Sequence, residues 1–254
     1  MLASKIFIES PILKNLGVTH GFFTKNGGCS QELYASLNCK FGNGDAKENV
    51  EQNLKIAANS LCVDVANLTL LNQVHSNKVI KENNSIDQLR GDSVLANTPE
   101  HLVAVVTADC VPILLWDDKN RIAAAIHAGW RSAHGGIIKN TIDEIEKFGS
   151  HDIVAAIGPC IRQQNYEVDE SFSQLFMEQH SDNQKYFVSS KSFGKFLFDL
   201  PKYCYDKLSE CDVKNIDDLN IDTYSDSKNF FSCRRAQHKQ EQRFGCQISA
   251  ICSK

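Results

Sequence analysis

The chain has 254 residues, a 42% apolar composition and a formal net charge of -4. It is long enough to bury a substantial core, and its composition excludes disorder as the default state. The small net charge leaves no electrostatic footprint for nucleic acid or for an anionic membrane, although a local cationic pocket for a small anion is compatible with it.

The opening residues MLASKIFIESPILKN hold an apolar stretch too short and too polar for a signal peptide. The greasiest run, 102–116, is interrupted by Asp109 and Pro112 and is too short to span a bilayer. The expectation is a cytoplasmic protein with no membrane and no nucleic-acid partner. Ten cysteines in that setting argue against a disulfide framework. No CxxC pair occurs, which leaves zinc ribbons and thioredoxin-like chemistry unsupported.

No repeat, low-complexity tract or long linker interrupts the chain, so 1–254 reads as one domain. Residues 17–24 predict a strand, closed by a turn at Asn26-Gly27-Gly28. Residues 45–60 predict a helix capped by Asp45, with Val50, Leu54 and Ile56-Ala57 toward the core. Four apolar runs follow, at 68–74, 102–107, 122–126 and 152–157. Such near-continuous runs are typical of strands covered on both faces. A fifth strand at 111–116 and the turn Asp117–Asn120 make a local antiparallel hairpin, so the sheet should be mixed. Residues 132–148 predict one helix closed by Gly149, and 169–180 and 199–209 predict two more. The class is α/β or α+β with mixed sheets.

Each of the four apolar runs ends on a chemically useful residue. The first leads into His75, the second through Asp109 into Cys110, the third into His127, and the fourth into Cys160. Strand ends that lie side by side in a sheet form a crevice where ligands commonly bind. His75, Cys110 and His127 suit a borderline-soft ion such as zinc and leave a fourth position open. Asp109 is a candidate to orient a ligand or to move a proton. HExxH, the HxE with PCxxC of zinc nucleobase deaminases, and HxH are all absent. That argues against zincins, those deaminases and copper oxidases. The same residues permit a second chemistry, with Cys110 as nucleophile and His127 or His75 as its base.

Arg131 follows His127 by four residues and lies between a strand and a helix N-terminus, a favourable place for phosphate. Lys25 sits beside the Asn26–Gly28 turn. Arg234 and Arg235 form a pair that reads first as solvated charge. Trp130 reads as core packing.

The stretches HGFFTKNGG (20–28), SLN (36–38), QVH (73–75), TADCVPILLWD (107–117), AAIHAGWRS (124–132), AAIGPCI (155–161), NYEVD (165–169) and FFSCRRA (230–236) run in order along nearly the whole chain. With them the chain resembles the purine nucleoside phosphorylase family long known as laccase-domain or multicopper polyphenol oxidase proteins, which includes the peptidoglycan editing factor. The resemblance implies a layered α/β sandwich with mixed sheets, similar to the cytotoxic necrotizing factor-like cysteine hydrolase fold. It implies zinc on His75, Cys110 and His127, with copper as the metal that the older family name suggests. It implies phosphorolysis of adenosine, inosine and methylthioadenosine, with adenosine deamination in some members, so the partners are a purine nucleoside and phosphate. The editing branch implies instead a Cys110-dependent amidase on peptidoglycan precursors. A metal-binding module without turnover is a third class. Arg131 and Lys25 are then candidates for phosphate, Cys110 and Asp109 for catalysis, and Gln73 and Cys160 for the pocket. Lys25 stands where the family usually has Arg, which keeps the charge but loses the bidentate grip. Arg162, Ser132, Asp222 and Cys233 also depart from the usual residues.

Overall fold

Leu102, Ala104 and Val106 pack on one side of their strand, and Val103 and Val105 pack on the other. That is why 102–107 reads as an unbroken apolar run: alternate side chains enter two different cores. The computed structural model describes residues 5–149 and 152–253. Its strands are β1 (Phe7–Ile8), β2 (His20–Phe23), β3 (Leu68–Asn72), β4 (Val79–Lys81), β5 (Ile86–Arg90), β6 (Ser93–Ala96), β7 (Leu102–Thr107), β8 (Val111–Asp117), β9 (Ile122–Ala128), β10 (Ile153–Ile157), β11 (Glu167–Asp169), β12 (Phe187–Ser189), β13 (Lys195–Phe198), β14 (Asn215–Asp218) and β15 (Gln247–Cys252). Its α-helices are α1 (Pro11–Asn15), α2 (Lys47–Ser60), α3 (Trp130–His134), α4 (Ile137–Glu146), α5 (Glu170–Gln179), α6 (Leu200–Glu210) and α7 (Cys233–His238).

Two six-stranded sheets carry the fold. The first runs β1-β2-β15-β7-β3-β5 and the second β14-β10-β8-β9-β6-β4. Both are mixed: β7–β3 and β3–β5 are parallel in the first, β10–β14 and β4–β6 in the second, and the remaining neighbours are antiparallel. A small third sheet, β11-β13-β12, is antiparallel throughout. The first two sheets bury a shared layer that includes Phe22, Val103, Val105 and Ile251 from one and Val94, Leu114, Trp116 and Ala125 from the other. The outer face of the first sheet is covered by α2 through Val50, Leu54, Ala57 and Ala58. The outer face of the second is covered by α4 and α6 through Ile138, Ile142, Leu200 and Leu208. The result is a layered α/β sandwich with mixed sheets.

Three details differ from the sequence expectations. The four apolar runs do not belong to one sheet: β3 and β7 lie in the first, β9 and β10 in the second. The helix predicted over 132–148 is broken into α3 and α4, because Gly136 takes a left-handed φ of 87° between them. The cap of α2 is Ala46 rather than Asp45. The Asp45 carboxylate accepts instead from Ser30 Oγ at 2.6 Å and from Asn38 Nδ2 at 2.8 Å, which ties the helix start to the preceding loop.

Candidate metal centre and adjoining cavity

The connection between β7 and β8 leaves the first sheet and enters the second within Ala108, Asp109 and Cys110. Asp109 makes the turn with a φ of 90°, a strained conformation for a residue with a β-carbon. Cys110 is thereby placed at the crossing. In the second sheet Pro112 on β8 pairs with His127 on β9, which brings His127 beside the cysteine. His75 arrives from the first sheet. Strand β3 stops at Asn72 because the Gln73 side chain replaces the backbone in the ladder: its Nε2 donates to Val106 O at 2.8 Å and its Oε1 accepts from Val106 N at 2.7 Å. The chain then turns at His75 with a φ of 58°.

The ligand atoms of His75, Cys110 and His127 all lie within 4.8 Å of one another. The two imidazole rings meet edge to face, with centroids 4.7 Å apart. His127 is buried, Cys110 is half-buried and His75 is exposed, so the group opens to solvent on the His75 side. Among the described residues this is the one group of three or more His, Cys, Asp or Glu side chains within ligating range.

The carboxylate that supports the group is Asp92, which is fully buried. Its Oδ1 lies 2.8 Å from His127 Nδ1 and accepts from His75 N at 2.9 Å. Its Oδ2 accepts from Ser76 N at 2.6 Å and from Ser76 Oγ at 2.8 Å. The bond to Nδ1 leaves Nε2 as the His127 nitrogen available to the cluster. Burial alone would raise the Asp92 carboxyl, but the bonds from His127 and Ser76 outweigh it and hold the pKa at about 2. Burial and the facing His127 push His75 down to about 4. Burial, with Asp109 beside it, pushes the Cys110 thiol well above its usual range. Neutral imidazoles are ready donors, and such a thiol needs a cation next to it to ionise.

The residues present fit a metal ion. Two imidazoles and a thiol form a donor set of the kind zinc takes, with room for a fourth ligand on the open side. Gly129 borders the cluster, and a β-carbon there would lie 3.1 Å from Cys110 Sγ.

Cys110 also forms part of the wall of a cavity of about 290 Å³, with Asp109, Trp130, Arg131, Tyr166 and Arg234 among its other walls. The Arg131 guanidinium lies 4.2 Å from the Trp130 ring centroid, and that of Arg234 lies 5.2 Å from the Tyr166 centroid. Trp130, Tyr166 and Arg234 continue into a neighbouring groove of about 460 Å³ that adds Phe172 and Asp169. Two cations and a set of aromatic faces therefore flank the cysteine.

Of the predicted residues, His75, Cys110 and His127 come together, and Arg131 and Asp109 border the adjoining cavity. Asp109 makes its hydrogen bonds away from the histidines, accepting from Thr223 Oγ1 at 2.7 Å, Ser232 Oγ at 2.9 Å and Arg234 N at 2.7 Å. Burial pushes its carboxyl up, against those three bonds. Gln73 is not among the cavity walls, its amide being committed to Val106. Lys25 is not among them either: its Nζ lies 5.9 Å from the Phe231 centroid. Burial and the nearby Arg235 and Lys239 lower the Lys25 pKa. Cys160 is fully buried in the core between the second sheet and its helices. Sequence reasoning missed Asp92 and underrated Arg234. The first stands in Gly91-Asp92-Ser93 without a motif around it. The second differs from Arg235 in where it points: Arg235 donates to the carbonyls of Thr223, Tyr224 and Phe230, whereas Arg234 donates to a single carbonyl, Glu167 O at 2.7 Å, and borders the cavity.

Fold and site together define a layered, mixed α/β protein with a solvent-open His–Cys–His group beside a cationic, aromatic cavity. The chain belongs to the family described as multi-copper polyphenol oxidoreductase laccase, whose model matches residues 19–254. It is similar to a purine nucleoside phosphorylase of Rickettsia conorii, 35% identical over 188 residues, 74% of this chain and 78% of that protein. It is similar to the purine nucleoside phosphorylase YfiH of Escherichia coli, 32% identical over 222 residues, 86% of this chain and 89% of the relative. The crystal structure of the Bacillus licheniformis hypothetical protein YfiH superposes with a TM-score of 0.89 at 26% identity, covering 99% of this chain and 98% of the other. Among the described residues no helix is long and apolar enough to cross a membrane.

Proposed function

We propose that the protein is a zinc-dependent purine nucleoside phosphorylase acting on adenosine, inosine and methylthioadenosine. The observation that carries this reading is the placement of Arg131 and Arg234 around one cavity with Cys110, next to the faces of Trp130 and Tyr166. Guanidinium groups suit phosphate and aromatic faces suit a purine. The relatives of similar length that bear the name purine nucleoside phosphorylase support it.

In phosphorolysis a phosphate oxygen attacks the anomeric carbon, the C–N bond breaks, and its electron pair leaves with the base. The protein must hold phosphate, sugar and base in line. Arg131 and Arg234 would hold the phosphate. Trp130 and Tyr166 would exclude water from the base and orient it. Asp109, buried in the cavity wall, would be the group that relays a proton to the departing base. His75, Cys110 and His127 would hold zinc, which supplies a Lewis acid beside the cavity. A single three-ligand group supports copper oxidation less well.

One observation favours a second reading. Asp92 orients His127 and His127 neighbours Cys110, the order of a Cys–His–Asp hydrolase. An amidase on peptidoglycan precursors would use that order with water alone. Initial rates with inosine, adenosine and a muropeptide precursor, each with and without phosphate, separate the two. Phosphate-dependent cleavage that yields ribose 1-phosphate supports the phosphorylase. Free ribose at a rate indifferent to phosphate overturns it, and release of ammonia from adenosine reports deamination. Cleavage of the precursor amide alone replaces it with the hydrolase.

A further inference from the structure

His75 and His127 come from different sheets, and one buried carboxylate holds both. The left-handed turn at His75 aims the backbone N–H groups of Val74, His75 and Ser76 into one concavity, at 3.3, 2.9 and 2.6 Å from Asp92 oxygens. Successive N–H groups around such a turn form a nest for an anion. Here the anion is the Asp92 side chain. The same residue grips the other strand twice: its carboxylate takes His127 Nδ1, and its carbonyl accepts from His127 N at 2.7 Å.

We propose that Asp92 is the positioning residue of the His–Cys–His centre: seated in the 74–76 nest, it sets the His75 backbone and the His127 ring against each other before any ion binds. This rests on the reading that the three residues hold a metal. The chemistry requires a carboxylate. Oδ1 faces the donors of His75 and His127, and Oδ2 faces those of Val74 and Ser76. An asparagine has one acceptor oxygen, so its amide nitrogen would oppose backbone N–H groups in either orientation. The left-handed turn at His75, a strained conformation for a residue with a β-carbon, would lose the bonds that offset it. Cys110 hangs from another connection and is not among the hydrogen-bond partners of the Asp92 carboxylate.

The test is zinc affinity, measured by chelator competition, and the absorption spectrum of the cobalt(II)-loaded protein, for wild type, Asp92→Asn and Ser76→Ala. Loss of a group that orients a ligand lowers metal affinity about ten- to a hundredfold. Asp92→Asn should show that loss and shifted cobalt ligand-field bands, while the sulfur-to-cobalt band from Cys110 persists. Ser76→Ala removes the hydroxyl donor to Oδ2, together with the long 3.3 Å bond that the hydroxyl accepts from Lys78 N, and should move the same quantities the same way by less than tenfold, with the melting temperature of the metal-free protein unchanged. Wild-type affinity and spectrum in Asp92→Asn overturn the proposal. If that variant does not fold, wild-type values in Ser76→Ala overturn it. A weakening that merely follows the unfolded fraction, with an unaltered cobalt spectrum, overturns it as well. A wild-type protein that takes up neither zinc nor cobalt brings down the metal reading itself; a binding wild type with indifferent variants brings down the role of Asp92 alone.

Discussion

A β-carbon on Gly129 would stand 2.6 Å from Nδ1 of His75. Real β-carbons do not approach so closely, so Gly129→Ala must push the His75 ring aside. That ring is exposed and can move at little cost to the core. We expect Gly129→Ala to weaken metal binding at least about tenfold, in line with loss of one ligand's orientation, and to leave the fold intact. Metal content after dialysis, with circular dichroism as control, checks it. Full metal content in Gly129→Ala would contradict the tight packing around the cluster.

His75→Ala, Cys110→Ala and His127→Ala should each lose the metal, about one ion per chain in the wild type. Cys160→Ser should keep it, because Cys160 lies in the helix-side core of the second sheet. Elemental analysis of the four variants decides. A metal-free Cys160→Ser protein would show that the ligand set is misassigned.

Arg131→Ala and Arg234→Ala should each raise the KM for phosphate, or lower kcat as well if the contact tightens in the transition state. Losing one charge-assisted bond to an anion costs roughly 1.5–3 kcal/mol, about ten- to a hundredfold. Metal content should not change. Lys25→Ala should leave the phosphate KM near wild type, because Lys25 is not among the cavity walls. The measurement is initial rate against phosphate concentration for the three variants. A large KM effect confined to Lys25→Ala would relocate the phosphate site.

His20 sets a pH limit on stability. It is buried, accepts from Ser10 N at its Nε2 at 2.8 Å, and donates from Nδ1 to Val18 O at 2.9 Å. Burial lowers its pKa below the ordinary 6.5. The unfolded chain therefore takes up a proton near pH 6.5 while the folded chain stays neutral. Stability is full above that value and falls as pH drops through it, by at most about 1.4 kcal/mol per pH unit for one group. His20→Gln, which keeps one donor and one acceptor, should flatten the fall in melting temperature between pH 7 and pH 5. An unchanged slope would remove His20 from the account.

The strands were readable where both faces are buried. The apolar runs 102–107, 111–116 and 122–126 supply side chains to both cores and mark β7, β8 and β9 within two residues, leaving outside them only Asp117 at the end of β8 and His127-Ala128 at the end of β9. The three metal-ligand candidates were readable because each follows or closes such a run. The division of those runs between two sheets was not, because pairing partners such as β15 and β7 lie far apart in sequence. Asp92 was hidden for the same reason. Its meaning comes from a nest at 74–76 and a ring at 127, which only folding brings to it. The break at Gly135-Gly136 was available in the sequence, and the apolar spacing on either side of it concealed the change of direction.

The order of strands in the first sheet has a consequence for how the chain assembles. Strand β15 lies between β2 and β7, whereas β8 and β9 in the second sheet are joined by a short turn. The second sheet can begin from neighbours in sequence. The first is left with an open slot until residues 247–252 enter it, and loop closure over such a distance is slow. During synthesis β2 and β7 must wait with unpaired edges, which are the surfaces most prone to wrong pairing.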